Sequence, residues 1–319
     1  MRSPNRLNNA LRWPNSRRRL PGISHAAPER PVWAATDWSS HTRTAHISGA
    51  RVHYLDIGSG PPLVLLHGLG MSWRAWLQNI PDLARDHRVI AIDLPGFGDS
   101  QRIRWRRDLS GHAAVVVELL YHIDASRCVL AGHSLGGYVA LHVALQMGED
   151  IAALILISSP DSQIGMAHRL AMFAALSSLR MLIYPPVIEA WCIRQRALHK
   201  VLFGRLVADT SCLKPELLNA FRRSYATDGF WRGIRAALGD TVGKRSGSLR
   251  IRTLILAGKG DAIIPPTAAY RLATLIPDAT LTLWDSVGHA PMLERPAEFN
   301  AVVRNFASSA DTSPDHEAS

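Results

Sequence analysis

The stretch Gly132-His133-Ser134-Leu135-Gly136 lies between the β-rich run Arg127–Gly132 and the helical run Tyr138–Met147. A serine hydroxyl attacks well only when its backbone holds it clear of its neighbours and a base takes its proton. A tight turn from strand into helix does the first. It needs small flanking residues, because the backbone there is strained and the helix passes close, and Gly132 and Gly136 supply that room. The amide of Leu135, at the N-terminus of the new helix, then points to where a negative oxygen would form. G-x-S-x-G alone occurs by chance, so it is strand, turn and helix in that order that give it weight. The chemistry indicated is nucleophilic attack on an acyl carbonyl.

An oxyanion needs a second donor, normally from the loop after an earlier strand. The run Leu63–His67 ends in His67-Gly68-Leu69-Gly70, which makes the Leu69 amide the candidate. The same glycines, with Asp93 at the end of the next run, imitate a dinucleotide-binding turn, but Trp73 stands where that fingerprint needs its third glycine. Among 14 histidines, His289 stands out in Val287-Gly288-His289-Ala290-Pro291, just past the run Thr280–Trp284. Asp261 follows the preceding run in Gly258-Lys259-Gly260-Asp261. The order Ser134, Asp261, His289 is the nucleophile, acid and base order of one fold. Asp161, just past the run Ala153–Ser158, is the alternative acid, and its other reading is a helix N-cap. His67 reads as a brace for its loop and His133 as part of the serine turn. No H-E-x-x-H or similar spacing is present, so neither a metal nor a cofactor is expected.

These residues need a frame. A hairpin is expected from Thr42–Ser48, a Gly49-Ala50 turn and Arg51–Ile57, followed by the runs Leu63–His67, Arg88–Asp93, Arg127–Gly132, Ala153–Ser158, Arg252–Gly258 and Thr280–Trp284. Near-continuous Val, Ile and Leu suits strands buried on both faces. The class is α/β, a mostly parallel eight-stranded sheet flanked by helices, with its core in 41–160 and 248–308. Between 161 and 247 the alternation gives way to a helical pattern, with Leu170, Phe173, Leu176, Leu179 and Ile183 on one face. That segment reads as a helical cap. Residues 1–40 read as a disordered basic arm with some resemblance to a transit peptide, and 309–319 as a polar tail.

The net charge of +10 is unevenly placed. Basic and acidic residues number seven and two in 1–40, ten and ten in 41–160, thirteen and six in 161–247, and six and eight in 248–319. The excess sits in a tail and in a Leu- and Ala-rich segment rather than on an aromatic-laced recognition element, so no nucleic-acid partner is expected. The basic, apolar cap could rest on an anionic membrane surface; its other reading is a cap with solvated arginines on its outer side. Cys128, Cys192 and Cys212 form no pattern, which suits a reducing compartment and a cytoplasmic location, and Cys128 reads as a buried apolar residue. The longest apolar run, Ile151–Ile157, is seven residues, too short to span a bilayer.

From about residue 42 to 307 the chain resembles the α/β-hydrolase fold superfamily, in its capped serine-hydrolase, esterase- or lipase-like branch. The matching residues are His67-Gly68, Asp93-Leu94-Pro95-Gly96-Phe97-Gly98-Asp99-Ser100, the serine turn, Gly258 to Asp261, and Gly288-His289 with Pro291 and Glu294. The resemblance implies Ser134 as nucleophile, His289 as base, Asp261 as orienting acid and the Leu69 and Leu135 amides as the oxyanion hole. It further implies hydrolysis of a small apolar carboxylic ester through an acyl-serine. Epoxide hydrolases and haloalkane dehalogenases of this fold carry Asp in place of Ser134, many meta-cleavage C–C hydrolases carry Asn in place of His133, and proline iminopeptidases usually carry Trp in place of Leu135. C–C hydrolases, lyases, cofactor-free peroxidases and slow-turnover ligand receptors share the same three residues, and they remain the alternatives.

Overall fold

The computed structural model describes residues 31–103, 108–161, 205–214, 217–218, 233, 235–237 and 242–309. The chain divides into Met1–Pro31 and Val32–Ser319, and the second unit holds the sheet and every candidate site residue. Its centre is an eight-stranded sheet of β1 (Thr42–Ile47), β2 (Ala50–Ile57), β3 (Pro62–Leu66), β4 (Arg88–Ile92), β5 (Cys128–His133), β6 (Ile151–Ile157), β7 (Thr253–Gly258) and β8 (Ala279–Trp284). The spatial order is β1-β2-β4-β3-β5-β6-β7-β8. The β1–β2 and β2–β4 pairs are antiparallel and every later pair is parallel.

The strands alternate their side chains between two cores, as a pleated sheet covered on both faces must. In β5, Cys128 and Leu130 enter one core while Val129 and Ala131 enter the other. Helices Leu109–His122, Leu135–Met147 and Pro266–Leu275 cover the first face through residues such as Val115, Val139 and Leu272. Helices Pro291–Glu294 and Pro296–Ser308 cover the second through Leu293, Phe299 and Val303. Cys128 is fully buried, as its sequence position suggests, and burial pushes its thiol up to about 12.

The strand order places the candidate residues. From β3 the chain moves outward to β4 and then returns to β5 on the other side of β3. Where successive strands leave in opposite directions, a crevice opens at their C-terminal ends. The loop after β3 carries Leu69 and the loop after β5 carries Ser134, so the two candidate oxyanion amides come from the two walls of that crevice.

Two expectations are corrected. The hairpin turn is Ser48-Gly49, one residue earlier than expected, because Ile47 pairs with Ala50 and both turn residues need positive φ (49° and 73°). Disorder is expected for 1–40, but of the described residues there Val32–Ala35 is helical and Trp38–His41 a 3-10 turn. Packing of half-buried tryptophans is the reason. Trp38 donates from Nε1 to the Trp33 carbonyl at 2.8 Å and its ring lies 5.5 Å from that of Trp73. Residues 1–30, most of the expected cap and 310–319 lie outside the described residues. Among the described residues no helix is long and apolar enough to cross a membrane.

Candidate active site

Ser134 occupies the sharp turn that its flanking glycines predict. Its φ of 53° and ψ of −115° are disfavoured for any residue with a side chain, a strain of about 1–3 kcal/mol that the surroundings must hold. They hold it from both sides: the Ser134 amide donates to the Ile157 carbonyl at 2.8 Å, and its own carbonyl accepts from Gly137 at 2.9 Å. Small residues are obligatory beside it. A Cβ on Gly132 would stand 2.4 Å from the Gly136 carbonyl oxygen, and one on Gly136 would stand 2.4 Å from that of Leu66.

Asp261 and His289 meet. His289 Nδ1 and Asp261 Oδ2 are 2.7 Å apart, both side chains being almost wholly buried. The second carboxylate oxygen, Oδ1, accepts from the amides of Ile263 and Ile264, each at 2.8 Å, so the carboxylate cannot rotate away. Because Asp261 accepts at Nδ1, the His289 proton sits there and Nε2 is left with a bare lone pair. Asp161 lies elsewhere in the network. Its carboxylate is buried and gripped by Arg271, through Nε to Oδ2 and through Nη2 to Oδ1 at 3.1 Å, while its carbonyl accepts from the Tyr138 hydroxyl at 2.9 Å.

The two oxyanion candidates have side chains that share a neighbour. Leu135 is the first residue of the helix Leu135–Met147, and neither its amide nor that of Leu69 has an acceptor among the described residues. Their side chains approach a common neighbour, Gly233, where a Cβ would lie 2.6 Å from Leu69 Cδ1 and 3.3 Å from Leu135 Cδ2. The Leu69 loop is braced by His67, which donates from Nδ1 to the Gly68 carbonyl at 2.7 Å and accepts at Nε2 from the Leu94 amide at 3.0 Å. Burial lowers the His67 pKa, which keeps the ring in the neutral form this donor-acceptor pattern needs.

Two residues carry more of the arrangement than their place in the sequence suggests. Glu294, which the sequence marks only through the family resemblance, accepts from the Gly288 amide with both oxygens (2.9 and 3.0 Å) and from the Ala208 amide at 2.8 Å. It thereby ties the His289 loop to residues 206–208, whose Leu206 carbonyl accepts from the His289 amide at 3.0 Å. Burial raises the Glu294 pKa, while the backbone donors oppose the rise. The second is His133, whose ring nitrogen reaches the backbone carbonyl of His289.

His53, Asp93 and Asp99 bring possible metal-ligating atoms within 4.8 Å of one another. Asp93 is already engaged there, accepting from His53 Nδ1 at 3.0 Å and from the amides of Trp73 and Asp99 at 2.8 and 2.9 Å, so it pins the loops after β3 and β4 together.

Three buried histidines make acid stability a readable property. Burial pushes His112 down to about 4 and lowers His67 and His133. The unfolded chain takes up protons near 6.5 that the folded chain refuses, so the stability these rings contribute is full above 6.5 and lost as pH falls toward their folded values. For His112 alone the loss between 6.5 and 4 is about 3 kcal/mol. Urea unfolding should therefore show ΔG falling steeply from pH 7 to 4.5, and His112→Phe should flatten that slope; an unchanged slope in the variant would count against a neutral His112.

The model of the alpha/beta hydrolase family matches residues 63–302, a range that takes in Leu69, Ser134, Leu135, Asp261 and His289. The chain belongs to the alpha/beta hydrolase family. It is similar to the dihydrolipoyllysine-residue acetyltransferase component of the acetoin cleaving system of Pseudomonas putida, at 29% identity over 82% of this chain and 68% of that one. It is 30% identical to the pimeloyl-[acyl-carrier protein] methyl ester esterase of Vibrio parahaemolyticus, over 80% of this chain and 98% of the esterase. Among solved structures, a thermophilic esterase from Thermogutta terrifontis superposes with a TM-score of 0.67 at 24% identity, over 85% of this alpha/beta hydrolase and 99% of the esterase.

Proposed function

We propose that this alpha/beta hydrolase cleaves a carboxylic ester of an apolar acyl group through an acyl-serine intermediate. The reading is carried by the 2.7 Å contact between Asp261 and His289, in the loops after β7 and β8, at the same end of the sheet as the strained Ser134. His289 Nε2 takes the Ser134 proton as the hydroxyl oxygen attacks the ester carbonyl carbon. The tetrahedral oxygen is received by the Leu69 and Leu135 amides, and Asp261 stabilises the imidazolium formed beside it. His289 then hands the proton to the leaving alkoxide. Water, deprotonated by the same nitrogen, attacks the acyl-serine, and the acid leaves with Ser134 restored. Each step uses a side chain or amide of this chain and needs no cofactor.

Similarity to a methyl ester esterase supports an ester as the cleaved group. The acyl side is read as apolar because the Leu69, Phe97 and Leu135 side chains gather around Gly233 beside the oxyanion amides. Each buried methylene adds about 0.8 kcal/mol, so kcat/KM on p-nitrophenyl esters should climb with acyl length until the space is filled. Equal rates on acetyl and octanoyl esters would contradict an apolar acyl site. Tight binding with negligible turnover would point to a receptor, and release of an aldehyde or ketone without consumption of water to a lyase. A peripheral contact of the basic cap with membranes belongs to the same proposal, and is expected as salt-sensitive co-sedimentation with anionic vesicles.

A further inference from the structure

His133, the last residue of β5, is 1% exposed and immediately precedes Ser134. Its Nε2 lies 2.8 Å from the carbonyl oxygen of His289. A carbonyl only accepts, so the His133 proton sits on Nε2 and Nδ1 is bare. Nδ1 meets no donor among the described residues. A Cβ on residue 68 would stand 2.7 Å from it and 3.0 Å from Cε1, so the ring fits only because position 68 is glycine. The ring centroid is 4.9 Å from that of His289. A residue chosen only to fill this space would need no nitrogen.

His133 and Ser134 are consecutive, so this hydrogen bond ties the loop of the base directly to the nucleophile's own turn, across 156 residues of sequence. The His289 backbone is otherwise tethered by its amide to Leu206. Its imidazole is oriented by Asp261. Neither tether reaches Ser134. Burial holds His133 neutral, which spares the His289 imidazolium a second positive charge next to it during attack.

Resting on the serine-hydrolase reading, we infer that His133 is a positioning residue: its Nε2–H, held by the His289 carbonyl, sets where the His289 imidazole stands relative to Ser134, while its ring fixes Gly68 and hence the Leu69 amide. A misplacement of about 1 Å in such a pair costs on the order of 10²-fold in rate. Removing the donor should therefore reduce kcat rather than raise KM.

The test is steady-state hydrolysis of a short p-nitrophenyl ester by His133→Phe, His133→Asn and His133→Gln, with thermal melting of each. Phe keeps a ring without the donor, Asn has a donor too short to reach, and Gln carries one at nearly the reach of Nε2. Phe and Asn should lose about 10²-fold in kcat with KM changed less than about threefold, and Gln should recover at least about tenfold of that loss. If Phe fails to fold, the comparison of Asn with Gln decides. The inference is overturned if kcat of the folded Phe or Asn variant stays within about threefold of wild type, if the loss falls on KM, or if Gln is as slow as Asn at equal melting temperature. Wild-type protein that neither hydrolyses esters nor reacts with a fluorophosphonate would remove the serine-hydrolase reading itself, whereas an active wild type with an indifferent position 133 removes only this inference.

Discussion

Ser134→Ala is expected to lower kcat on p-nitrophenyl esters by on the order of 10⁶-fold, with the far-ultraviolet circular dichroism of the wild type. In the proposed mechanism the loss is large because Ser134, His289 and Asp261 act as a unit: without the hydroxyl the base has no proton to take and no acyl-enzyme can form. Binding and the two amides remain, so a residual rate about 10³–10⁴-fold above the uncatalysed one should persist. The fold should tolerate the change, since Ser134 is half-buried and its stabilising hydrogen bonds are made by its amide and carbonyl. A rate within tenfold of wild type would place the nucleophile elsewhere.

Asp261→Asn is expected to cut kcat by on the order of 10⁴-fold while KM stays close to wild type. An amide at position 261 offers His289 a donor where the carboxylate offered an acceptor. That favours the tautomer with its proton on Nε2, and such a ring cannot serve as the base for Ser134. Asp161→Asn is the informative contrast. It removes the charge paired with Arg271, so melting temperature should fall while kcat changes little. If Asp161→Asn is the more damaging change to turnover, the acid has been assigned to the wrong residue.

Much of this arrangement is legible from residue types in order. Gly132-His133-Ser134-Leu135-Gly136 between a strand and a helix demands a strained turn, and the acid and the histidine each follow an apolar run that becomes a parallel strand. Local sequence carries such information because strand ends and turn glycines obey local sterics. What it cannot carry is the pairing of side chains far apart in the chain. Nothing in the types of Asp161 and Arg271, 110 residues apart, announces their ion pair, and that pair is what separates Asp161 from Asp261. His133 reads as no more than part of the turn because its hydrogen-bond partner is a backbone carbonyl, which every residue possesses. Glu294 is visible as a residue but not as a tie, since its partners are the amides of Gly288 and Ala208. The helix and turn within 32–41 are hidden for a related reason: they are held by contacts of Trp33, Trp38 and Trp73 that residue types alone do not announce.

The most direct test of the acyl-serine mechanism is peptide mapping by mass spectrometry after reaction with a fluorophosphonate, which requires an activated serine and mimics the tetrahedral intermediate. One adduct is expected, on the peptide containing Ser134, absent from Ser134→Ala and formed much more slowly in Asp261→Asn. Wild-type protein left unmodified, or modified at another residue while hydrolysing esters, would contradict that mechanism.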